Sequence, residues 1–172
     1  MCRGVHRIPG LYPTGGNAAM LLAYNLVRLI EGHAEELANS LSQQVRKSSR
    51  TAEFCGRVPA QDLKLRVYEI YRDLGDWLLK RTEGEVERRY REIGIRRASQ
   101  GVPFSQLAYA IILTKENLWS FLLKNAGVDR TIEVYGELEL LQQLDYFFDR
   151  AISYAAAGYE YAEQISLSGA AG

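Results

Sequence analysis

The fold is decided by residues 82–122, TEGEVERRYREIGIRRASQGVPFSQLAYAIILTKENLWSFL. The first four residues match a capping box, in which the Thr82 side chain accepts a hydrogen bond from the Glu85 N–H and Glu85 reaches back. Gly101-Val102-Pro103 ends this helix and opens the next one. Apolar residues on both sides recur at intervals of three and four, which is typical of helices. The stretch therefore predicts two consecutive helices joined by a tight corner.

The same periodicity continues in both directions from this corner. Glycine and proline divide it into five helical segments, and Asp129 is the expected N-cap of the last one. No apolar run alternates with a period of two, so no strand is predicted. We expect an all-α fold, a bundle of about five helices with a long C-terminal helix and a four-helix-bundle-like or globin-like core. The predicted segments are about 19–47, 59–81, 82–100, 103–127 and 129–165.

The two ends of the chain differ in composition from the middle. Residues 1–19 contain PGLYPTGG, a stretch rich in glycine and proline, and predict a flexible N-terminal tail. Met20 is an alternative translation start. Residues 166–172 are small and polar, and we expect them to fray. The interpretation is a single helical domain over residues 20–165.

Composition excludes several classes of protein. The 172 residues are 47% hydrophobic and 24% charged, as in a soluble globular protein. Lys plus Arg and Asp plus Glu both number 21, so net charge attracts neither nucleic acid nor anionic membrane. Two cysteines make no disulfide framework and favour a reducing compartment. We expect a cytoplasmic protein with no nucleic-acid or membrane partner.

The helix predicted at 82–100 carries a basic run that could be interpreted as a nucleic-acid stripe. Acidic residues stand four positions before three of its arginines, which is the stabilising order for ion pairs on a helix surface. The pattern therefore favours a solvated face. The expected pairs are Glu85–Arg89, Glu87–Arg91 and Glu92–Arg96.

Three polar residues fall inside apolar arcs of the predicted helices: His33, Lys115 and Asp145. One hypothesis is that they meet, with Trp119, in a polar pocket that binds an anion or a small ligand. The other is a buried Lys115–Asp145 ion pair and a hydrogen-bonded His33, which together fix helix register. We favour the second hypothesis.

No catalytic or cofactor motif is present. The sequence lacks GxSxG, HExxH, P-loop and GxGxxG patterns. His33 begins a His-x-x-Glu sequence, the reverse of the Glu-x-x-His found in carboxylate-bridged metal sites of helical bundles. We expect no catalytic residue, no metal and no cofactor.

The predicted C-terminal helix is longer than the others. About 36 residues would span roughly 54 Å, and its apolar stripe continues along most of that length. Part of this apolar stripe could then extend beyond the bundle and would need another surface to cover it. A homodimer through this helix or a break near Gly158 would resolve the problem, and we favour the dimer.

The corner resembles a known family. Residues 90–107, YREIGIRRASQGVPFSQL, resemble the LGxxRAxQGVPLSEL segment of the N-terminal domain of RsbRD-type RsbT co-antagonist proteins. The following AYAIIL at 108–113 and LW at 118–119 are similar to that family's continuation. The motif describes a helical corner and carries no chemistry.

The resemblance implies a helical sensory or regulatory module of bacterial signalling proteins, including stress-response regulators, which is usually dimeric. No catalytic residues belong to its pattern. Because the sequence leaves no room for an output domain after residue 165, we expect a stand-alone, non-enzymatic sensor or adaptor that docks on a separate signalling protein. The alternative is a small-molecule or anion-binding bundle with a pocket around Lys115, Asp145 and His33.

Overall fold

The computed structural model describes residues 16–125 and 131–170, in which every regular element is helical. The all-α prediction with a long C-terminal helix is confirmed. Of the tail predicted at 1–19, residues 1–15 lie outside the described residues, as does the predicted N-cap Asp129, whereas residues 16–19 belong to the first helix. The helices are α1 (Gly16–Gly32), α2 (Ala34–Lys47), α3 (Ala52–Arg57), α4 (Ala60–Arg72), α5 (Leu74–Leu79), α6 (Glu83–Ser99), α7 (Phe104–Asn125) and α8 (Thr131–Ala170).

The predicted corner between α6 and α7 is confirmed in detail. Glu85 N donates to Thr82 Oγ1 at 3.4 Å, and Thr82 N donates to Glu85 Oε2 at 2.8 Å, which completes the capping box. At the other end of α6, Gly101 adopts a φ of 71°, a left-handed conformation that favours glycine. Val102 N then donates to Arg97 O at 3.0 Å and closes the last turn of the helix.

The helix predicted at 19–47 is interrupted at His33, between α1 and α2. The Nδ1–H of His33 donates to the Leu29 carbonyl at 2.8 Å. This side-chain bond gives the Leu29 carbonyl an alternative to a helical backbone bond, and the neighbouring Gly32 lowers helix propensity. The expectation of one continuous helix is therefore wrong here.

The helix predicted at 59–81 is also divided, at Asp73, into α4 and α5. The Gly75 N–H donates to Glu31 Oε1 of α1 at 3.0 Å. This contact gives the start of α5 an acceptor from another helix, which local periodicity does not show. The loop predicted at 48–58 is instead a 3-10 turn, Ser49–Thr51, followed by α3.

The helix α8 is continuous past Gly158, so the proposed break there is wrong. It also continues through Ala170, beyond residue 165 where we expected it to end. The helix lies at the centre of the bundle, where it packs against α1, α5, α6 and α7. On the other side of α7, α2 packs against both α4 and α7.

The crossing of α6 and α8 explains Gly158. A Cβ atom on Gly158 would collide with the Arg91 carbonyl, and one on Gly94 would collide with the Ala155 carbonyl. The two backbones are therefore in direct contact, which only glycine permits at these two positions. Gly158 serves helix packing without interrupting its helix.

Candidate functional site

Lys115 of α7 is held by two aspartates of α8. Its Nζ lies 3.2 Å from Asp145 Oδ1 and 3.4 Å from Asp149 Oδ1. The predicted Lys115–Asp145 pair is thus confirmed, but it is not buried. The Lys115 side chain is 23% exposed and the aspartates are more exposed still, so the pair lies at the rim of the bundle.

The charges of this cluster do not suit an anion. Partial burial, the largest single influence, lowers the pKa of Lys115, but Asp145 and Asp149 together outweigh it and raise the pKa. One ammonium group faces two carboxylates, and a further anion would be repelled by the excess negative charge. The cluster is therefore better suited to hold α7 and α8 together through ion pairs.

The other two residues of the predicted pocket do not complete it. The His33 ring packs against Phe121 with centroids 5.3 Å apart, and among the described residues no hydrogen bond or ion pair joins it to Lys115 or Asp145. Trp119 has a buried Nε1 without a hydrogen-bond partner in the ranges that the structure describes. The structure brings Lys115 and Asp145 together and leaves His33 at the α1–α2 junction.

A buried hydrogen-bond network joins α2, α4 and α7, and the sequence analysis missed it. Asn117 Nδ2 donates to Leu37 O at 3.0 Å and to Tyr71 OH at 3.2 Å. Tyr71 OH donates to Thr114 O at 3.0 Å, and Gln44 Nε2 donates to Asn117 Oδ1 at 3.2 Å. Burial raises the pKa of Tyr71 well above its ordinary value. The network satisfies polar groups that would otherwise be costly in the core.

A sequence signal for this network was present. Ala110, Thr114 and Asn117 recur at helical spacing and are all buried, whereas Lys115 lies beside this face. The sequence pattern, by contrast, predicts Lys115 inside the apolar arc of this helix. Because neighbouring apolar residues surround most of this helix, its sequence does not define which face is innermost.

The three ion pairs expected along α6 are absent from this fully described helix. Glu85 pairs with Arg81 at 3.1 Å, and Arg89 pairs with Glu69 of α4 at 2.9 Å. Arg97 belongs to the basic run that we expected to face solvent, but it is only 5% exposed. Its Nη1 donates to Gln100 Oε1 at 2.7 Å. Part of the basic run therefore faces the bundle, and α6 is not simply a solvated salt-bridge surface.

The last turns of α8 expose an apolar surface, which we call the α8 end. It consists of three exposed side chains: Tyr161 and Ile165 lie one turn apart on one side of the helix, and Leu167, 73% exposed, lies on a different side. A groove of about 600 Å³ runs between α8 and the end of α6, lined by Ile95 and Ala98 of α6 and by Ile165 and Leu167 of α8. Exposed apolar side chains beside this groove make the α8 end a candidate interaction surface.

Two further observations concern the residues that the structure describes. Within 16–125 and 131–170, no three His, Cys, Asp or Glu side chains are grouped closely enough to hold a metal ion. In the same ranges, none of the helices has both the length and the apolar character required to cross a membrane.

The family model described as "RsbT co-antagonist protein rsbRD N-terminal domain" matches residues 34–170. The match covers most of the chain, and the chain belongs to this family. No curated protein and no solved structure matches it.

Membership of the family defines the class of protein. The family comprises regulatory domains of stress signalling, so this chain carries such a domain. The matched range begins at the first residue of α2 and ends at the last residue of α8. It contains the α6–α7 corner, the buried network and the α8 end.

Proposed function

We propose that this protein is a non-enzymatic sensor or adaptor domain of the cytoplasm, which forms a homodimer through α8 and docks on a separate signalling protein. The observation that carries this proposal is the α8 end, an exposed apolar surface on the longest helix of a stress-signalling regulatory domain.

Helix lengths support the choice of a second copy as the occupant of this surface. The 40 residues of α8 span about 60 Å, whereas the 17 residues of α6, its most extensive neighbour, span about 25 Å. The crossing at Gly94 and Gly158 is the point of closest approach. Beyond it, α6 ends at Ser99 whereas α8 continues through Ala170, and the exposed apolar side chains there would meet the same residues of a second copy about a twofold axis.

The experiment is native mass spectrometry and sedimentation of the wild-type protein at micromolar concentration. We expect a dimer, and we expect Ile165→Glu and Leu167→Glu to dissociate it because each places a carboxylate in the apolar contact. Leu65→Glu is the matched control, since Leu65 is an exposed leucine of α4 away from α8. A monomeric wild-type protein would overturn the dimer, and dissociation by Leu65→Glu as well would overturn its placement on α8.

Docking is tested separately. The family is named for co-antagonists of RsbT, so an RsbT-type protein from the same genome is the first partner to titrate. Calorimetry should detect a complex, and cross-links should map to this domain. Absence of a complex at tens of micromolar would remove this partner from the proposal while leaving the dimer intact.

A further inference from the structure

A small cavity of about 70 Å³ lies between α4, α6 and α7. Its walls are mainly apolar side chains, Val67, Ile70, Leu107, Ile111 and Phe148. The volume equals that of about five spheres of the size of a water molecule. Water needs two to four polar partners to be stable in a cavity, and these walls provide few. The cavity is therefore better suited to the apolar part of a small molecule.

Arg97 lines this cavity and has an incompletely matched charge. It is 5% exposed, and Gln100, its one hydrogen-bond partner among the described residues, is neutral. None of the carboxylates in those ranges forms an ion pair with it. Burial, the largest influence, and the neighbouring Arg96 lower the pKa of Arg97, because both disfavour its charge, while the carboxylate of Asp62 opposes them without outweighing them. A buried guanidinium in this situation would be stabilised by an anion.

Other charges at the cavity have the same sign. Arg66 and Arg96 also line it. Glu69 lies 3.7 Å from Arg66, but it is shared with Arg89, which it meets at 2.9 Å. The cavity is therefore bordered by more positive than negative charge.

A second polar group lies deep in the same cavity. Tyr90 is 3% exposed, and its hydroxyl has no hydrogen-bond partner in the described part of the chain. Burial raises the pKa of Tyr90, so the hydroxyl is protonated and available as a donor. Seven residues separate Tyr90 from Arg97 on α6, which is two turns and about 10.5 Å along the helix axis.

We propose that this cavity binds a short monocarboxylate, whose carboxylate pairs with Arg97 and whose apolar body lies among Val67, Ile70 and Ile111. The volume admits a body of about three to four carbons if the carboxylate stays at the arginines. A hydroxyl or oxo oxygen at the far end would accept a hydrogen bond from Tyr90. The proposal does not depend on the oligomeric state or on docking.

The experiment is calorimetric titration of the full chain with butyrate, isovalerate and 4-hydroxybutyrate. The comparison ligands are 1-butanol and butylamine, which keep the body and remove the negative charge, and inorganic phosphate, which keeps charge without a body. We expect the carboxylates to bind at least tenfold more tightly than the other three. Equal binding of butanol, or binding of phosphate alone, would overturn the proposal, as would no binding of any carboxylate at millimolar concentration.

Variants locate the site. Arg97→Met should weaken butyrate binding at least tenfold, whereas Arg88→Met, which removes an exposed arginine from the same helix, should change it less than twofold. Ala110→Leu keeps every arginine and fills the cavity from α7, so it should abolish binding even if Arg97→Met fails to fold. Tyr90→Phe should weaken 4-hydroxybutyrate more than butyrate. Unchanged affinity in folded Ala110→Leu would show that the ligand binds elsewhere.

Discussion

Two interfaces in this molecule join helices in opposite ways. Where α6 crosses α8, Gly94 and Gly158 bring the backbones into direct contact. Where α2, α4 and α7 meet, Asn117 and Tyr71 hold the helices together with buried hydrogen bonds. The first interface leaves no room for a single added carbon, and the second lies beside a cavity that Thr114 also lines.

The difference shows where a signalling domain has space to respond. Close-packed backbone contacts have one geometry, because any displacement produces a collision or a void. A polar network beside a cavity is held by directional bonds and has unfilled volume within reach of a ligand. The α6–α8 crossing therefore fixes the long helix, and the α4–α6–α7 side offers the space for recognition.

The largest expected effect comes from adding one carbon to the tight interface. Gly158→Ala should lower the free energy of unfolding by about 3 kcal/mol, because the new Cβ collides with the Arg91 carbonyl and the backbones must separate. Gly84→Ala is the matched control on α6, since a Cβ there meets nothing within 4 Å. It should stabilise by up to about 1 kcal/mol through helix propensity. Urea unfolding measures both, and equal effects would contradict the difference between the interfaces.

Alkaline pH should weaken the polar side. Burial raises the folded-state pKa of Tyr71 and Tyr90 above the ordinary value of 10.0, and raises that of Tyr159 to about 12. Each tyrosine stabilises the fold fully below pH 10, where both states are protonated. Above pH 10 the unfolded state ionises first, so stability falls until the folded pKa is passed.

Above pH 10, the free energy of unfolding should fall by about 1.4 kcal/mol per pH unit for each of the two fully buried tyrosines. Denaturant unfolding at pH 9, 10 and 11 measures it, and absorbance at 295 nm reports ionisation. Tyr71→Phe should have a shallower slope than the wild type. Early ionisation of all tyrosines in the folded protein would contradict the burial of these hydroxyls.

A pair of identical substitutions separates a satisfied hydroxyl from an unsatisfied one. Tyr71→Phe should cost about 1–2 kcal/mol, since it removes the donor to Thr114 O and the acceptor of Asn117 Nδ2. Tyr90→Phe should be neutral or stabilising, since its hydroxyl has no partner among the described residues. Thermal and urea unfolding compare the two variants. Equal losses would show that Tyr90 also has a partner.

The smallest expected effect concerns the rim. Lys115→Met should cost less than about 1 kcal/mol, because the ion pairs with Asp145 and Asp149 are partly solvated. Lys124→Met, an exposed lysine later in α7, is the control and should cost nothing measurable. The Lys115 effect should also shrink as salt is added. A loss above about 3 kcal/mol would mean that the cluster is buried.

The features that the sequence predicted correctly depend on residues close together in the chain. The capping box of Thr82 and Glu85 and the glycine turn at Gly101 are set by neighbours within a few positions. The Lys115–Asp145 pair was also anticipated, since an ammonium beside an apolar face needs a partner. The helix break at Asp73 was not, because Glu31 supplies the bond to α5 from another helix. The break at His33 was also missed, although its bond to the Leu29 carbonyl is local, because apolar periodicity does not register such a side-chain bond.

By itself, the sequence determined an all-helical chain, the α6–α7 corner, the long C-terminal helix and the family to which the chain belongs. Only the tertiary structure decided which face of α7 is buried, that Arg97 turns inward, and that Gly158 packs against α6. The physical reason is the separation along the chain of the residues that interact. Capping and periodicity act within a few residues, whereas burial and close approach depend on helices that are distant in the chain.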